Sequence, residues 1–439
     1  MWVTTMAWDF STDPEFQEHL DWVEVLVRDE IEPLDVLFPG GMAPYDPANA
    51  AAVAIVTSIQ QKVRDRGLWA CHLSPALGGM GFGNVQLALL NEILGRSSWA
   101  PRAFGCQAPD SGNAEILAHY GTPGQKERYL APLLAGEIVS TYSMTEPQGG
   151  ADPSGFTCRA RRDGDEWVID GQKWFASNYP MATFVIVMVV TDPDVAIHRG
   201  SSMLLVPVGT PGMEAIRNVG LSSERAGEEG AHAYLQFTAC RVPAENLLGL
   251  EGSGFEIAQT RLGGGRLHHA MRSVGLCKKM LEMMCERALS RRTRGGPLTD
   301  QQAVRHMIAD SWVQLEQFRM QVMHAAWQAD KHGYRAARRY IGGVKVATPK
   351  TIMDIAYRAL QLHGSLGLSN EMPFASMMLT GAALGLADGP TEVHKDVVAY
   401  QTLKDHRPVA TLFPSGHLPT RLAAAREQYA DVLAHYESR

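Results

Sequence analysis

Thr157-Cys158-Arg159-Ala160-Arg161-Arg162-Asp163-Gly164-Asp165-Glu166-Trp167-Val168-Ile169-Asp170-Gly171-Gln172-Lys173-Trp174-Phe175-Ala176 is the stretch that sets the fold class. Three β-prone runs, 157–162, 166–169 and 172–176, are separated by Asp163-Gly164 and Asp170-Gly171. Asp-Gly suits the positive φ of tight hairpins, so each pair reads as a turn and the whole as an antiparallel meander. The runs 184–190, 202–208 and 231–240 extend the strand-like texture. On both sides the apolar period becomes helical. It does so from about Asp13 to Glu137, and again over roughly 253–293, 299–332, 336–363, 391–404 and 419–437. Long helices joined by short loops suggest a bundle. The expected fold class is α+β, with an N-terminal α-helical domain (1–137), a middle antiparallel β-domain (138–250) and a C-terminal helical bundle (251–439). No internal repeat or low-complexity tract interrupts it.

The chain has 439 residues, 45% hydrophobic and 20% charged, enough for two or three substructures around a large core. A net charge of −7 argues against a nucleic-acid partner, which calls for a basic excess. The six cysteines are scattered, with no CxxC pair and no cysteine–histidine cluster at zinc spacing. No metal is expected, and His268, His269 and His363 read as structural. The apolar run from Ala182 to Val190 is too short to span a bilayer. Met1-Trp2-Val3-Thr4-Thr5 lacks the basic and apolar regions of a signal peptide. The expectation is a soluble, cytoplasmic protein without a membrane span.

Two segments carry the chemistry. Tyr142-Ser143-Met144-Thr145-Glu146-Pro147-Gln148-Gly149-Gly150-Ala151-Asp152 sets hydroxyls and exposed amides at a strand end, beside a glycine-rich turn able to grip a flat polar ring or an anion. Ala387-Asp388-Gly389-Pro390-Thr391-Glu392-Val393-His394 puts one carboxylate at the mouth of a turn that opens a helix. Taken alone, such an aspartate reads as a helix N-cap. No Gly-x-Gly-x-x-Gly follows a strand, so a Rossmann dinucleotide fold is excluded, and Gly263-Gly264-Gly265 is not that motif.

With Gly78-Gly79-Met80-Gly81, Gly171-Gln172-Lys173, Val242-Pro243-Ala244-Glu245-Asn246-Leu247-Leu248-Gly249 and Gln361-Leu362-His363-Gly364-Ser365-Leu366-Gly367 in order, the chain resembles the acyl-CoA dehydrogenase family over nearly its whole length. Cys106–Asn113, Arg261–His269 and Ala387–Pro390 resemble a narrower branch, some of whose eukaryotic members carry a fused kinase-like domain; no kinase region is present here. The resemblance implies a C-terminal four-helix bundle, with FAD between it and the β-domain. It places Tyr142, Met144, Thr145, Gly150, Ala151, Phe175 and Ser177 around the flavin, Phe175 standing where tryptophan is usual. Arg291, Arg294, Leu298, Gln361, Gly364, Ser365 and Gly367 would hold the diphosphate and adenosine, commonly across a dimer interface, and Pro390 and Glu392 also face the cofactor. A guanidinium and a glycine-rich turn suit a diphosphate, although Gly364 and Gly367 alone would pass for a plain turn.

The same resemblance makes Asp388 the base that removes the α-proton of an acyl-CoA. Ala151, Leu262, Gly265, Arg266 and Gly389 would line the substrate. Closure of an apolar pocket by acyl-CoA would raise the Asp388 pKa. Arg266 as a solvent-facing helix residue, and Phe175 as core, are the bland alternatives. Electron-transfer flavoprotein is the implied electron acceptor, and a homodimer or homotetramer the implied assembly. The family's usual Arg-Asp-Ala-Arg is replaced by Leu379-Thr380-Gly381-Ala382. A flavin oxidase on the same fold, a non-catalytic subunit of a hetero-oligomer, and an acyl carrier protein in place of CoA remain as rivals. Three consecutive glycines in a helix cost about 1 kcal/mol each relative to alanine. They suggest a widened pocket for branched, cyclic or hydroxylated acyl chains, or else close helix packing or a kink.

Overall fold

The computed structural model describes residues 12–39, 45–46, 48–77, 79–221 and 230–437; Met1–Thr5 and Gly78 lie outside them. Helix α1 (Pro14–Leu26) starts where the Asp13 carboxylate accepts from Phe16 N at 2.8 Å and Pro14 fills the first turn. Its buried face is Phe16, Leu20, Val23 and Leu26. Helices α2 (Ala50–Asp65), α3 (Asn84–Leu94) and α4 (Asp110–Tyr120) follow. The apolar residues of α1, α2 and α3 share one continuous core with the C-terminal bundle, from Val23, Leu90 and Trp99 to Met271, Leu315 and Ile352, while Ile116 and Leu117 of α4 pack against the sheet. The end of α3 passes so close to the first bundle helix that a Cβ on Gly95 would stand 1.9 Å from the Arg272 carbonyl oxygen.

The sheet comprises β1 (Ser140–Ser143), β2 (Arg159–Asp163), β3 (Glu166–Ser177), β4 (Phe184–Val190), β5 (Ser201–Pro207), β6 (Met213–Val219), β7 (His232–Pro243) and β8 (Leu247–Leu248). Its order is β6-β7-β3-β2-β4-β5-β8, with β1 beside β4. It is antiparallel except where β4 meets β1 and β2 in parallel. β4 reads as a continuous apolar run because both its faces are covered. Ile186 and Met188 pack with Leu117 and Ile257, and Val185 and Val187 with Trp167 and Phe237.

One expected hairpin forms and the other does not. Asp163 pairs with Glu166 around Gly164, as Asp-Gly predicts. Asp170-Gly171 instead lies within the twelve-residue β3, at a register shift against β7. Gly171 has φ 137°, and a Cβ there would meet Cys158 Cα at 2.5 Å. The glycine serves a bulge at close backbone approach rather than a chain reversal.

The C-terminal region is α5 (Gly254–Ser290), α6 (Gln302–His363), α7 (Phe374–Leu384) and α8 (Thr391–Leu403), then exposed α9 (Leu418–Gln428) and α10 (Ala430–Glu437). α6 breaks at Gly333 (φ 76°, ψ 162°) into 302–332 and 334–363, close to the two helices expected. With α5 and α8 these make the bundle. The sequence reading omitted α7, on which Leu379-Thr380-Gly381-Ala382 lies. A Cβ on Gly381 would come within 2.8 Å of Met353, so glycine here permits close packing of α7 on α6. No helix among the described residues is long and apolar enough to cross a membrane.

Candidate active site

The turn between α7 and α8 is held from three sides. Lys345 on α6, 2% exposed, donates Nζ to the carbonyls of Leu384 at 2.5 Å and Ala387 at 2.6 Å. Arg266 on α5 donates Nε to the Asp388 carbonyl at 2.9 Å, and His394 Nε2 on α8 reaches the same oxygen at 3.2 Å. Asp388 takes φ 56°, a left-handed conformation uncommon outside glycine, and Gly389 follows at φ 99°. Strain of this kind persists where surrounding contacts over-determine it. Asp388 is not the N-cap that its sequence position suggests. Pro390 holds that place, without a side-chain cap, and leaves the Asp388 carboxylate free to face α5.

There the carboxylate meets a cationic wall. His269 Nε2 stands 3.7 Å from Asp388 Oδ2, the two side chains being 26% and 21% exposed. Burial by itself would raise the carboxyl, but His269, Arg261, Lys345 and Arg266 outweigh it and hold it below its ordinary value. His269 contributes only when protonated. Burial, with Arg272 nearby, pushes that imidazole down to about 4, so near neutrality Arg261, Lys345 and Arg266 do the holding. In the chain by itself, then, the wall is charged and the carboxyl is held down; the rise expected from closure by acyl-CoA belongs to the substrate complex. Of the three glycines of α5, Gly265 faces this carboxylate, Gly264 faces Glu115 and Gly263 faces Tyr334. A Cβ on Gly265 would be 3.7 Å from Asp388 Oδ2, and one on Gly264 3.4 Å from Glu115 Oε2. These are ordinary contact distances, and α5 runs unbroken through the three residues, so neither a kink nor forced close packing explains them.

The second cluster is the turn after β1. Glu146, 2% exposed, accepts from Lys173 Nζ at 2.8 Å, Thr157 N at 2.7 Å and Cys158 N at 3.0 Å. Lys173, fully buried, also donates to the Met144 carbonyl at 2.8 Å. This ion pair locks Met144-Thr145-Glu146 against β3, where Trp174 N donates to the Thr145 carbonyl at 2.9 Å. A Cβ on Gly150 would stand 2.9 Å from Thr145 Cγ2, so the exposed Gly150-Ala151 corner backs the threonine. Phe175 sits at a second β3 bulge with φ 55° and is 41% exposed, its ring stacked on Trp174 at 5.1 Å and 14°. It is not core. Ser177 Oγ pairs with His232 Nδ1 at 2.8 Å. Trp174 Nε1 and Asn178 Nδ2 are buried without a hydrogen-bond partner.

Tyr142 joins this turn to Asp388. Its ring lies 4.0 Å beneath the Arg261 guanidinium, and the charges of Arg266 and Asp388 both act on its hydroxyl. Leu262, buried on α5, and Arg266 with Gly389 belong to the same neighbourhood. The third expected group does not. Arg291, Arg294, Gln361, Gly364 and Ser365 are exposed, Leu298 is partly so and Gly367 is buried. Leu298 N donates to the Arg291 carbonyl at 2.8 Å. The stretch of α5 between Arg266 and Arg291 puts roughly 37 Å between Arg291 and the Arg266 that holds the Asp388 carbonyl. Glu392 points outward and pairs with Lys395 at 3.8 Å. Among the described residues no cluster of metal-ligating side chains occurs. An apolar groove of about 370 Å³, lined by Leu281, Cys285, Ile308 and Trp312, lies elsewhere on the bundle surface.

Family models described as acyl-CoA dehydrogenase N-terminal, middle and C-terminal domains match residues 15–137, 141–240 and 252–403. The probable acyl-CoA dehydrogenase FadE2 of Mycobacterium tuberculosis is 40% identical over 371 residues, 82% of this chain and 90% of that protein. This chain belongs to the acyl-CoA dehydrogenase family. That family is FAD-dependent. Acyl-CoA dehydrogenase family member 11 of Rattus norvegicus is 41% identical over 355 residues, 80% of this chain. The chain spans about half the length of such relatives, 45% in the rat protein. Butyryl-CoA dehydrogenase from Megasphaera elsdenii superposes with a TM-score of 0.77 at 26% identity, covering 90% of this chain and 100% of that one.

Sequence reasoning missed Arg261, Lys345 and His394 and set His269 aside. The Arg261–His269 segment, singled out by resemblance, and the Ala387–His394 segment contain Arg261, His269 and His394 without giving any of them a role; nothing pointed at Lys345.

Proposed function

We propose that the chain catalyses FAD-dependent α,β-dehydrogenation of an acyl-CoA to the trans-2-enoyl-CoA, with Asp388 taking the α-proton. The observation that carries this reading is the carboxylate itself. It is released from capping duty, set in strained backbone and kept ionised by Arg261, Lys345 and Arg266, which is the state a general base needs. The residues present suit a flavin: an exposed, strained Phe175, unpartnered donors on Trp174 and Asn178 beside it, and a turn fixed by Glu146–Lys173 that presents Met144 and Thr145. Tyr142, Met144, Thr145, Gly150, Ala151, Phe175 and Ser177 would hold the ring, which accepts the β-hydride when FAD is bound.

Leu262, Gly265, Arg266, Gly389 and Ala151 would line the acyl-CoA, and the cationic wall would stabilise the enolate formed as the proton leaves. Arg291, Arg294, Leu298, Gln361, Gly364, Ser365 and Gly367, remote from Asp388 within one chain, would serve the FAD of a second copy, with Pro390 and Glu392 at the same interface. A homodimer or homotetramer, and electron-transfer flavoprotein as acceptor, complete the proposal. Anaerobic bleaching of the flavin by a panel of acyl-CoA thioesters tests it. No bleaching by any member would overturn it.

A further inference from the structure

Arg261 has no part in the reading above beyond its charge, yet it is among the most carefully held cations near the site. It lies on α5, one turn before Gly265, and its Nε donates to Asn113 Oδ1 at 2.9 Å. Asn113, fully buried on α4, donates Nδ2 to Ser140 Oγ at 2.9 Å. Ser140 donates both its backbone N, at 2.8 Å, and its hydroxyl, at 2.6 Å, to Asp110 Oδ1. Space for the guanidinium is made by Gly112, where a Cβ would stand 3.0 Å from Arg261 Cγ and 3.4 Å from Nε. No carboxylate among the described residues forms an ion pair with it, so its charge is not neutralised at contact. Its flat face covers Tyr142 at 4.0 Å. The chain Asp110–Ser140–Asn113–Arg261 thus ties α4, β1 and α5, one element from each part of the molecule, to the strand that leads into the Thr145 turn.

We propose that Arg261, one turn along α5 from the Gly265 that faces Asp388 Oδ2 and stacked over Tyr142, is a positioning residue of the proton-transfer site, acting through Asp388 and Tyr142. The inference rests on the reading of Asp388 as base. Lys345 and Arg266 also bear on Asp388, but each is engaged with backbone carbonyls of the turn, Lys345 twice and Arg266 once. Arg261 makes no bond to that turn. Its removal should therefore change the charge around Asp388 without releasing the loop. The other groups that face Asp388 are His269 and Arg272 on α5, His394 on α8 and Tyr142 on β1. Those facing Arg261 include Asp110 and Glu115 on α4, the Glu115 carboxyl being pushed up by burial to about 7.

Loss of the positive charge should move the titration of Asp388 to higher pH, because the ionised form loses a stabilising neighbour. Each pH unit of displacement reads as a tenfold loss of flavin-reduction rate on the acid side, measured against each variant's own alkaline plateau. The test uses Arg261→Gln and Arg261→Met, which remove the charge, and Arg261→Lys, which keeps it. Rapid-reaction rates against pH are read beside an infrared titration of the carboxyl band that Asp388→Asn lacks, taken on apoprotein. A displaced acid limb and a displaced band in Gln or Met, both restored in Lys, are the expected results. Superposable profiles and bands in a folded neutral variant overturn the role of Arg261, as does the same displacement in Lys. Should both neutral variants fail to fold while Lys folds with parental profiles and spectra, the residue is structural and the proposal falls. Failure of the underlying reading looks different: Asp388→Asn would itself reduce flavin normally.

Discussion

Glu146→Gln removes one charge from the pair that locks the Thr145 turn and leaves the shape almost unchanged. Lys173 and Glu146 are 0% and 1% exposed at the side chain and 2.8 Å apart. Two unit charges at that distance attract by about 6 kcal/mol at an effective dielectric of about 20. Burial cost cancels much of this, yet removing one partner alone costs about 3–5 kcal/mol, since it strands the other charge. The amide must also satisfy sites where Glu146 now accepts from Thr157 N, Cys158 N and Gln148 Nε2. Against a typical total of about 5–15 kcal/mol, the loss is large.

Urea denaturation of apoprotein and holoprotein, with free FAD measured by fluorescence, reads both consequences. Glu146→Gln should lose about 3 kcal/mol or more and release FAD. Glu146→Gln combined with Lys173→Met should regain a good part of the stability, because no charge is then stranded. Burial raises the Glu146 carboxyl, but Lys173 and the backbone donors outweigh it and hold it below its ordinary value. The pair's stability is therefore full above the unfolded carboxyl value of about 4.3 and lost as pH falls through the lower folded one. A Glu146→Gln protein within about 0.5 kcal/mol of the parent would refute the argument. A destabilised protein that retains FAD would refute the assignment of this turn to the cofactor.

Other outcomes follow from the same geometry. Gly150→Ala pushes a methyl toward Thr145 Cγ2, where a Cβ would lie at 2.9 Å; strain of about 1–3 kcal/mol should weaken FAD retention about tenfold or more, read by equilibrium dialysis. Gly265→Ala should fold, since its Cβ meets Asp388 Oδ2 at 3.7 Å, and should slow branched or cyclic thioesters more than straight ones; an unchanged ranking contradicts the pocket reading. Flavin reduction should stay flat on acidification to about pH 5, because Asp388 titrates below the ordinary aspartate value of about 3.9; an acid limb near neutrality would show otherwise.

The two local segments were legible because each carries its meaning in contiguous residues. Thr145-Glu146-Pro147 and Asp388-Gly389-Pro390 announce turns, and the helical periods appear as α1–α4 before the sheet and as the bundle after it. Asp170-Gly171 misled because the dipeptide reports only a backbone preference. Pairing of Gly171 with Phe237 on β7, and its approach to Cys158, turned that preference into a bulge. α7 escaped notice because Phe374-Ala-Ser-Met-Met-Leu-Thr-Gly-Ala-Ala-Leu384 lacks a polar stripe to set a period. Lys345 was invisible for a further reason. It meets the Asp388 turn only when α6 packs against it, and no local pattern records that meeting. The sign of the electrostatics at Asp388 followed it out of view, since the charges that hold the carboxyl down come from α5 and α6 rather than its own turn.

Asp388→Asn is the most direct test of the account. The substitution keeps size and nearly keeps shape, leaves the carbonyl held by Arg266 and His394, and removes the carboxylate assigned to take the proton. Anaerobic mixing with a substrate acyl-CoA, followed by flavin absorbance, should show bound FAD and a reduction rate lower by about 10²–10⁴. A fully folded variant that reduces its flavin at the parental rate would contradict the assignment of Asp388 as base.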